Sequence, residues 1–190
     1  MSQVALPAPR SSGWWGMALF VGTEATLFGT LVGTYVYLRA QAVSWPPSGV
    51  PEPDALWPLA LTAALVATTV PLRWSLASGR AGRVARARLG LVVALAIQAG
   101  YLAAQLVLMA HDLDRFSPEG SAYASIYFTL LGAHAAHVAA GMLLELWVVV
   151  RLAGGLTRYR LVALQVTVFY WVFVNVLAVI VVAVQLSPRL

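Results

Sequence analysis

Residues 14–39, WWGMALFVGTEATLFGTLVGTYVYLR, are apolar over a length that crosses a bilayer, and they include one carboxylate, Glu24. At about 1.5 Å of rise per helical residue, Glu24 lies about 15 Å from Trp14, near the middle of a hydrocarbon core about 30 Å thick. An ionised side chain at that depth costs about 2.5–3.5 kcal/mol on insertion scales. Glu24 is therefore either a protonated acid held between helices or a titratable group with a defined role. We favour the second interpretation, which is the default for ionisable residues inside membranes.

The composition of the whole chain is that of an integral membrane protein. Of its 190 residues, 61% are hydrophobic and 10% are charged, whereas about 25% of a soluble domain is charged. The absence of cysteine excludes disulfides, thiolate metal sites and cysteine-bound clusters. The net charge of +5 comes from arginines in the loops, which indicates contact with lipid headgroups rather than with nucleic acid.

The hydropathy pattern divides the chain into a polar N-terminal tail, residues 1–13, and a single all-α transmembrane domain, residues 14–190. The tail lacks the basic region and short apolar run of a cleaved signal peptide. Within the domain we predict five transmembrane helices, at about 14–38, 57–76, 89–110, 122–150 and 161–186.

The arginines are distributed unequally between the two sides that five spans create. One side has eight arginines and no carboxylate: Arg10, Arg80, Arg83, Arg86, Arg88, Arg151, Arg158 and Arg160. The other side has three arginines and five carboxylates: Arg39, Arg115, Arg189, Glu52, Asp54, Asp112, Asp114 and Glu119. The positive-inside rule therefore predicts that the N-terminus is inside and the C-terminus outside.

The fourth span contains two histidines and a glutamate, in residues 132–151, GAHAAHVAAGMLLELWVVVR. At about 100° per residue, His134, His137 and Glu145 form one polar stripe with a notch at Gly141. Glu24 and His137 lie at similar depths from the predicted inner face. We therefore expect Glu24 to hydrogen-bond a histidine of this span, His137 in preference to His134. The stripe fits interhelical hydrogen bonding and proton handling, and these roles are compatible.

The same residues do not form a metal or haem site. His134 and His137 could supply two ligands, but a closed metal site needs further ligands and the chain has no cysteine. Both histidines lie on one helix face and cannot bind opposite sides of a haem. We therefore expect no metal, no cofactor and no catalytic centre in this chain.

Four stretches in combination resemble subunit III of the haem-copper respiratory oxidases, the cytochrome c oxidase subunit 3 family, in its five-span bacterial form. They are residues 14–28 (WWGMALFVGTEATLF), 45–50 (WPPSGV), 119–141 (EGSAYASIYFTLLGAHAAHVAAG) and 168–175 (VFYWVFVN). The resemblance implies a multi-pass, non-catalytic subunit of the bacterial plasma membrane. Such a subunit packs against catalytic subunit I, which holds the haems and copper. It also binds phospholipid, supports proton uptake and protects the catalytic centre from inactivation. A cytochrome c oxidase, a quinol oxidase and a nitric-oxide-reductase relative all fit these residues.

The resemblance also assigns roles by position. Glu24 matches the family's intramembrane carboxylate, which carbodiimides modify, and His134 and His137 match its histidine pair. Arg151 matches an arginine that contacts lipid phosphate. This chain departs from the family pattern in its fifth span, where Val172 and Asn175 replace the usual histidine and aspartate.

One alternative belongs to another functional class. A small proton channel or transporter could be built on Glu24 and the span-four histidines. The sequence shows no inverted repeat and no pair of broken helices at matching positions, which are typical of transporters. We therefore favour the oxidase subunit.

Overall fold

The computed structural model describes residues 11–51 and 54–187, and within them it contains helices and no β-strand. The helices are α1 (Ser12–Gln41), α2 (Leu56–Ala67), α3 (Thr69–Arg80), α4 (Val84–Arg115), α5 (Ala122–Ala153) and α6 (Arg158–Leu186), with a 3-10 turn at Pro118–Gly120. With α2 and α3 taken together as Leu56–Arg80, five of these segments are long and apolar enough to cross a membrane. The predicted all-α fold with five spans is confirmed.

The helices extend beyond the predicted spans because polar residues cap them outside the apolar runs. α1 begins at Ser12, where the Ser11 hydroxyl accepts a hydrogen bond from the Trp14 amide at 3.4 Å. Ser121 and Thr157 cap α5 and α6 in the same way. α4 runs from Val84 to Arg115, whereas the predicted span was 89–110. The helix therefore includes polar residues at both ends that lie outside the apolar run.

Some of the charged residues from which the orientation in the membrane is predicted lie outside the described residues. Arg10, Glu52 and Arg189 belong to segments 1–10, 52–53 and 188–190, as does most of the predicted tail. The orientation of the termini therefore remains a prediction.

The second span is two helical segments and not the single helix predicted over 57–76. Thr68 separates α2 from α3, and its hydroxyl donates to the carbonyl of Leu65 at 2.6 Å. Pro71 has no N–H with which to bond the carbonyl of Ala67, so one helical hydrogen bond is missing at this point. A proline inside a helix is a common cause of such a break.

The bundle is built around α5 and α6, which carry most of its buried side chains. α4 packs against α5, and α3 packs against both α4 and α6. α1 packs against α5 and α6 and buries only Phe28 and Tyr35. Most of the α1 surface is therefore available to lipid or to another protein.

Candidate functional site

The predicted pair forms where α1 meets α5. Oε2 of Glu24 lies 2.9 Å from Nε2 of His137, and the two side chains are 21% and 14% exposed. The pairing expected from the depth of the two residues is confirmed, and His137 rather than His134 is the partner. The pair lies at the edge of the bundle, under the partly covered α1.

The second ring nitrogen of His137 indicates how many protons the pair holds. Nδ1 lies 2.7 Å from the carbonyl oxygen of Ala133, one turn earlier in α5. Because a carbonyl oxygen can only accept, Nδ1 carries a proton and donates it. The contact between Nε2 and Oε2 then needs one further proton, which is on the carboxyl in a neutral pair and on the imidazole in an ionic pair. The pair therefore binds one exchangeable proton at one of two adjacent atoms.

α6 completes the surroundings of this pair. The Tyr170 hydroxyl donates to the backbone carbonyl of His137 at 3.0 Å. The Phe28 ring meets the His137 imidazole edge-on, with centroids 5.1 Å apart. The contact of Tyr170 with α5 was not predicted, because the sequence did not show which face of α6 meets α5.

Gly141 allows α6 to pack closely against α5, as expected from the notch predicted at this position. A Cβ at this position would lie 2.9 Å from Tyr170 Cε1 and 2.9 Å from Trp171 Cζ2. These distances are shorter than real Cβ contacts, so any larger residue would push α5 and α6 apart. Gly141 thus allows both aromatic rings to pack against α5.

Glu145 occupies a different environment from Glu24. It is fully buried, and its carboxyl is flanked by the Gln98 amide of α4 and the Trp171 indole of α6, which are fully buried as well. Both neighbours offer N–H donors beside the carboxyl, but within the described residues no contact of these polar side-chain atoms meets the distance and angle of a hydrogen bond. An unpaired charge is costly in such a place, so we infer a neutral carboxyl.

The polar stripe predicted on α5 is therefore shared between two interfaces. His137 bonds Glu24 of α1, whereas no hydrogen bond joins His134 or Glu145 to that pair within residues 11–51 and 54–187. His134 is 2% exposed and packs edge-on beside Tyr101 of α4, with ring centroids 6.1 Å apart. Of the candidate site residues, the structure brings together Glu24 and His137 only.

Arg151 lies in the last turn of α5 and is exposed. Its guanidinium lies over the Trp147 ring, 5.6 Å from the centroid. No carboxylate of the described residues forms an ion pair with it. The side chain is thus a free cation beside an aromatic ring at the end of an apolar span. Such a group suits a lipid headgroup phosphate.

The described part of the chain contains no group of three or more histidine, cysteine, aspartate or glutamate residues that could hold a metal ion. His134 and His137 also face different neighbours. His134 is fully buried, whereas His137 bonds the Glu24 carboxylate of α1. The Glu24–His137 pair can bind a proton and form hydrogen bonds.

Comparison with known proteins relates nearly the whole chain to one family. A family model described as cytochrome c oxidase subunit III matches residues 10–185. The chain is 30% identical over 173 residues to cytochrome c oxidase subunit 3 of Bacillus sp. (strain PS3), an alignment covering 85% of this chain and 78% of that protein. It is 29% identical over 170 residues to cytochrome c oxidase subunit 3 of Bacillus subtilis, with 85% and 79% covered. It is also 27% identical over 166 residues to cytochrome bo(3) ubiquinol oxidase subunit 3 of Pseudomonas aeruginosa, again with 85% and 79% covered.

Proposed function

The chain belongs to the cytochrome c oxidase subunit III family of the haem-copper oxidases, and we propose that it supports proton uptake by the oxidase through the Glu24–His137 pair. It is a multi-pass protein of the bacterial plasma membrane. As a family member it is one subunit of an oxidase complex. In our proposal it also stabilises catalytic subunit I, which holds the haems and copper, and it binds phospholipid.

The observation that carries this proposal is the hydrogen bond between Glu24 and His137. The two groups share one exchangeable proton near the middle of the membrane, and neither is sealed inside the bundle. A proton can therefore move between Oε2 and Nε2 across one hydrogen bond without any rearrangement of helices. The exposed edge of the pair faces lipid or another subunit of the oxidase, and in our proposal that subunit supplies the group that exchanges the proton.

The lipid part of the proposal rests on Arg151. The residue ends the apolar run of α5 on the side predicted to be inner, and its charge is not neutralised by a carboxylate of the described chain. The ring of Trp147 supports the guanidinium from one side. A phosphate would bind at the edge of the guanidinium, where the N–H donors lie, through charge-assisted hydrogen bonds.

The test of proton uptake compares three versions of the assembled oxidase: wild type, Glu24→Gln and Glu24→Leu. Glutamine keeps the shape of the glutamate side chain and can donate an N–H hydrogen bond to Nε2 of His137. Leucine removes the cost of taking a polar side chain out of water. We therefore expect both variants to assemble. Proton uptake during turnover should slow in both, because neither can exchange a proton with His137. Thr30→Val is the matched control, since Thr30 is an exposed polar residue of α1 that bonds only its own helix, at Thr26. Unchanged uptake in both Glu24 variants would refute the role of the pair.

A further inference from the structure

A cavity of about 320 Å³ lies at the end of the bundle where α4 and α5 are joined. It is lined by residues of α2, α4, α5 and α6 and by the segments that connect them. Charged and titratable side chains surround it, namely Asp54, His111, Asp112 and Arg115. The Tyr127 hydroxyl donates to Asp112 at 2.7 Å and accepts from the Gln185 amide at 2.9 Å, which fixes one wall. A cavity of this size with charged walls holds water.

A second, much smaller cavity extends the first towards the middle of the bundle. The two share four lining residues, Pro58, Gln105, Leu131 and Gln185. The smaller one offers about 10 Å³ of space for the centre of a water molecule, which is on the order of one bound water. Its remaining lining includes Thr62, Tyr101 and His134. Polar side chains from four helices thus meet around the space of one water molecule.

His134 is the residue of this small cavity whose polar atoms are fully buried and have no hydrogen-bond partner among the described residues. It is 98% buried, taken as the complement of its 2% exposure, and neither ring nitrogen bonds any atom of the described residues. A neutral imidazole has one donor and one acceptor. Buried polar groups in folded proteins are almost always hydrogen-bonded, to protein or to ordered water. The cavity supplies the space for that water, and Thr62 and Gln105 supply further polar groups to hold it.

We propose that a water-filled vestibule enters the bundle between α2, α4, α5 and α6 and ends at an ordered water molecule bound to His134. This site is separate from the Glu24–His137 pair, which lies on the other side of α5 under α1. Its ligand is water. By the predicted topology, the vestibule opens on the outer face of the membrane.

Apolar side chains bound most of the small cavity. One helical turn further into the bundle, three of the four helices that line it present a fully buried apolar side chain: Leu65 after Thr62, Val138 after His134 and Val174 before Ala178, whereas α4 presents the fully buried amide of Gln98. These three side chains belong to one apolar cluster.

The chain has no cysteine, so single cysteines test the vestibule directly. The variants are Gln105→Cys, at the junction of the two cavities, and Leu106→Cys, its neighbour on α4, which is 45% exposed on the outside of the bundle. Each is introduced into the assembled complex and treated with an anionic methanethiosulfonate, and modification of this chain is followed by mass spectrometry. These reagents attack the thiolate, which forms only where water solvates it.

We expect Gln105→Cys to react at least about tenfold faster than Leu106→Cys, because only the first thiol faces water. Leu108→Cys, which lines the larger cavity, should react at least as fast as Gln105→Cys. Equal rates at positions 105 and 106, or faster reaction at 106, would overturn the vestibule.

The water proposed at His134 can be tested by determining the structure of the assembled complex. The resolution must be high enough to show ordered water elsewhere in the bundle. We expect a water about 3 Å from a ring nitrogen of His134. An empty cavity, or a direct protein partner for both ring nitrogens, would overturn the site. The proposed proton-uptake function rests on Glu24 and His137, so failure of either test here leaves that function standing.

Discussion

Nε2 of His137 lies 2.9 Å from Oε2 of Glu24, while Nδ1 of the same ring lies 2.7 Å from the carbonyl oxygen of Ala133. The carbonyl of Ala133 keeps a proton on Nδ1. The second proton is exchangeable and is shared between Nε2 and the Glu24 carboxyl. The helix backbone thus sets the tautomer of the histidine. The relationship links α1, which the bundle covers only in part, to α5 at its centre.

Glu24 and Glu145 should differ in their reaction with a hydrophobic carbodiimide. The Glu24 side chain is 21% exposed at the edge of the bundle, whereas Glu145 is fully buried between α4, α5 and α6. We expect modification at Glu24 and none at Glu145, measured by mass spectrometry of peptides from the treated complex. Glu24→Gln should abolish the labelling. Equal labelling of Glu145 would show that its interface opens to the membrane.

Gly141→Ala should destabilise the bundle, because the new methyl group would lie 2.9 Å from the rings of both Tyr170 and Trp171. Overpacking of this kind typically costs about 1–3 kcal/mol. The matched control is Gly132→Ala on the same helix, where a Cβ would meet no atom within 4 Å. Thermal unfolding in detergent should show a lower Tm for the first variant alone. Similar Tm values for the two variants would mean that α6 does not pack against Gly141.

Arg151→Ala should reduce the anionic lipid that is retained with the purified complex, while the fold survives. The guanidinium is exposed, lies over the Trp147 ring and is not paired with a carboxylate of the described residues. Arg158→Ala is the control, because Arg158 is exposed at the start of α6, beyond the loop. Lipid extraction and mass spectrometry measure the outcome. Equal losses from the two variants would indicate a diffuse charge effect and not a binding site.

Reporter fusions should place the N-terminus inside and the C-terminus outside. The expectation follows from the eight arginines that five spans gather on one side, against three on the other. A C-terminal alkaline phosphatase should be active, and the same enzyme at the N-terminus should be inactive. Activity at both ends, or at neither, would contradict the span count.

The sequence predicted the number of spans and the Glu24–His137 contact, because both follow from apolar length and from depth in the membrane. It did not predict the helix ends, since Ser11 and Thr157 cap α1 and α6 outside the apolar runs. It also missed the break at Thr68, although Pro71 was a visible signal for it.

The partners of the buried polar residues could not be predicted either. His137 lies about 40° around the helix from Gly141 and about 60° from His134. It contacts α1, while His134 and Glu145 face other helices. Periodicity gives the face of one helix, but not which neighbour covers it. Gln98 was recognisable as a polar residue inside a span, yet its position beside Glu145 depends on how α4 and α5 pack.

The most direct test of the account is purification of the affinity-tagged chain from its own bacterial membrane in mild detergent. The visible spectrum and the mass spectrum of the same fraction are then recorded. As an oxidase subunit the chain should bring haem absorbance and the catalytic subunit with it, whereas the chain expressed alone should show no haem. Recovery of the chain without haem and without any oxidase subunit would contradict the account and would favour a free-standing proton channel or transporter.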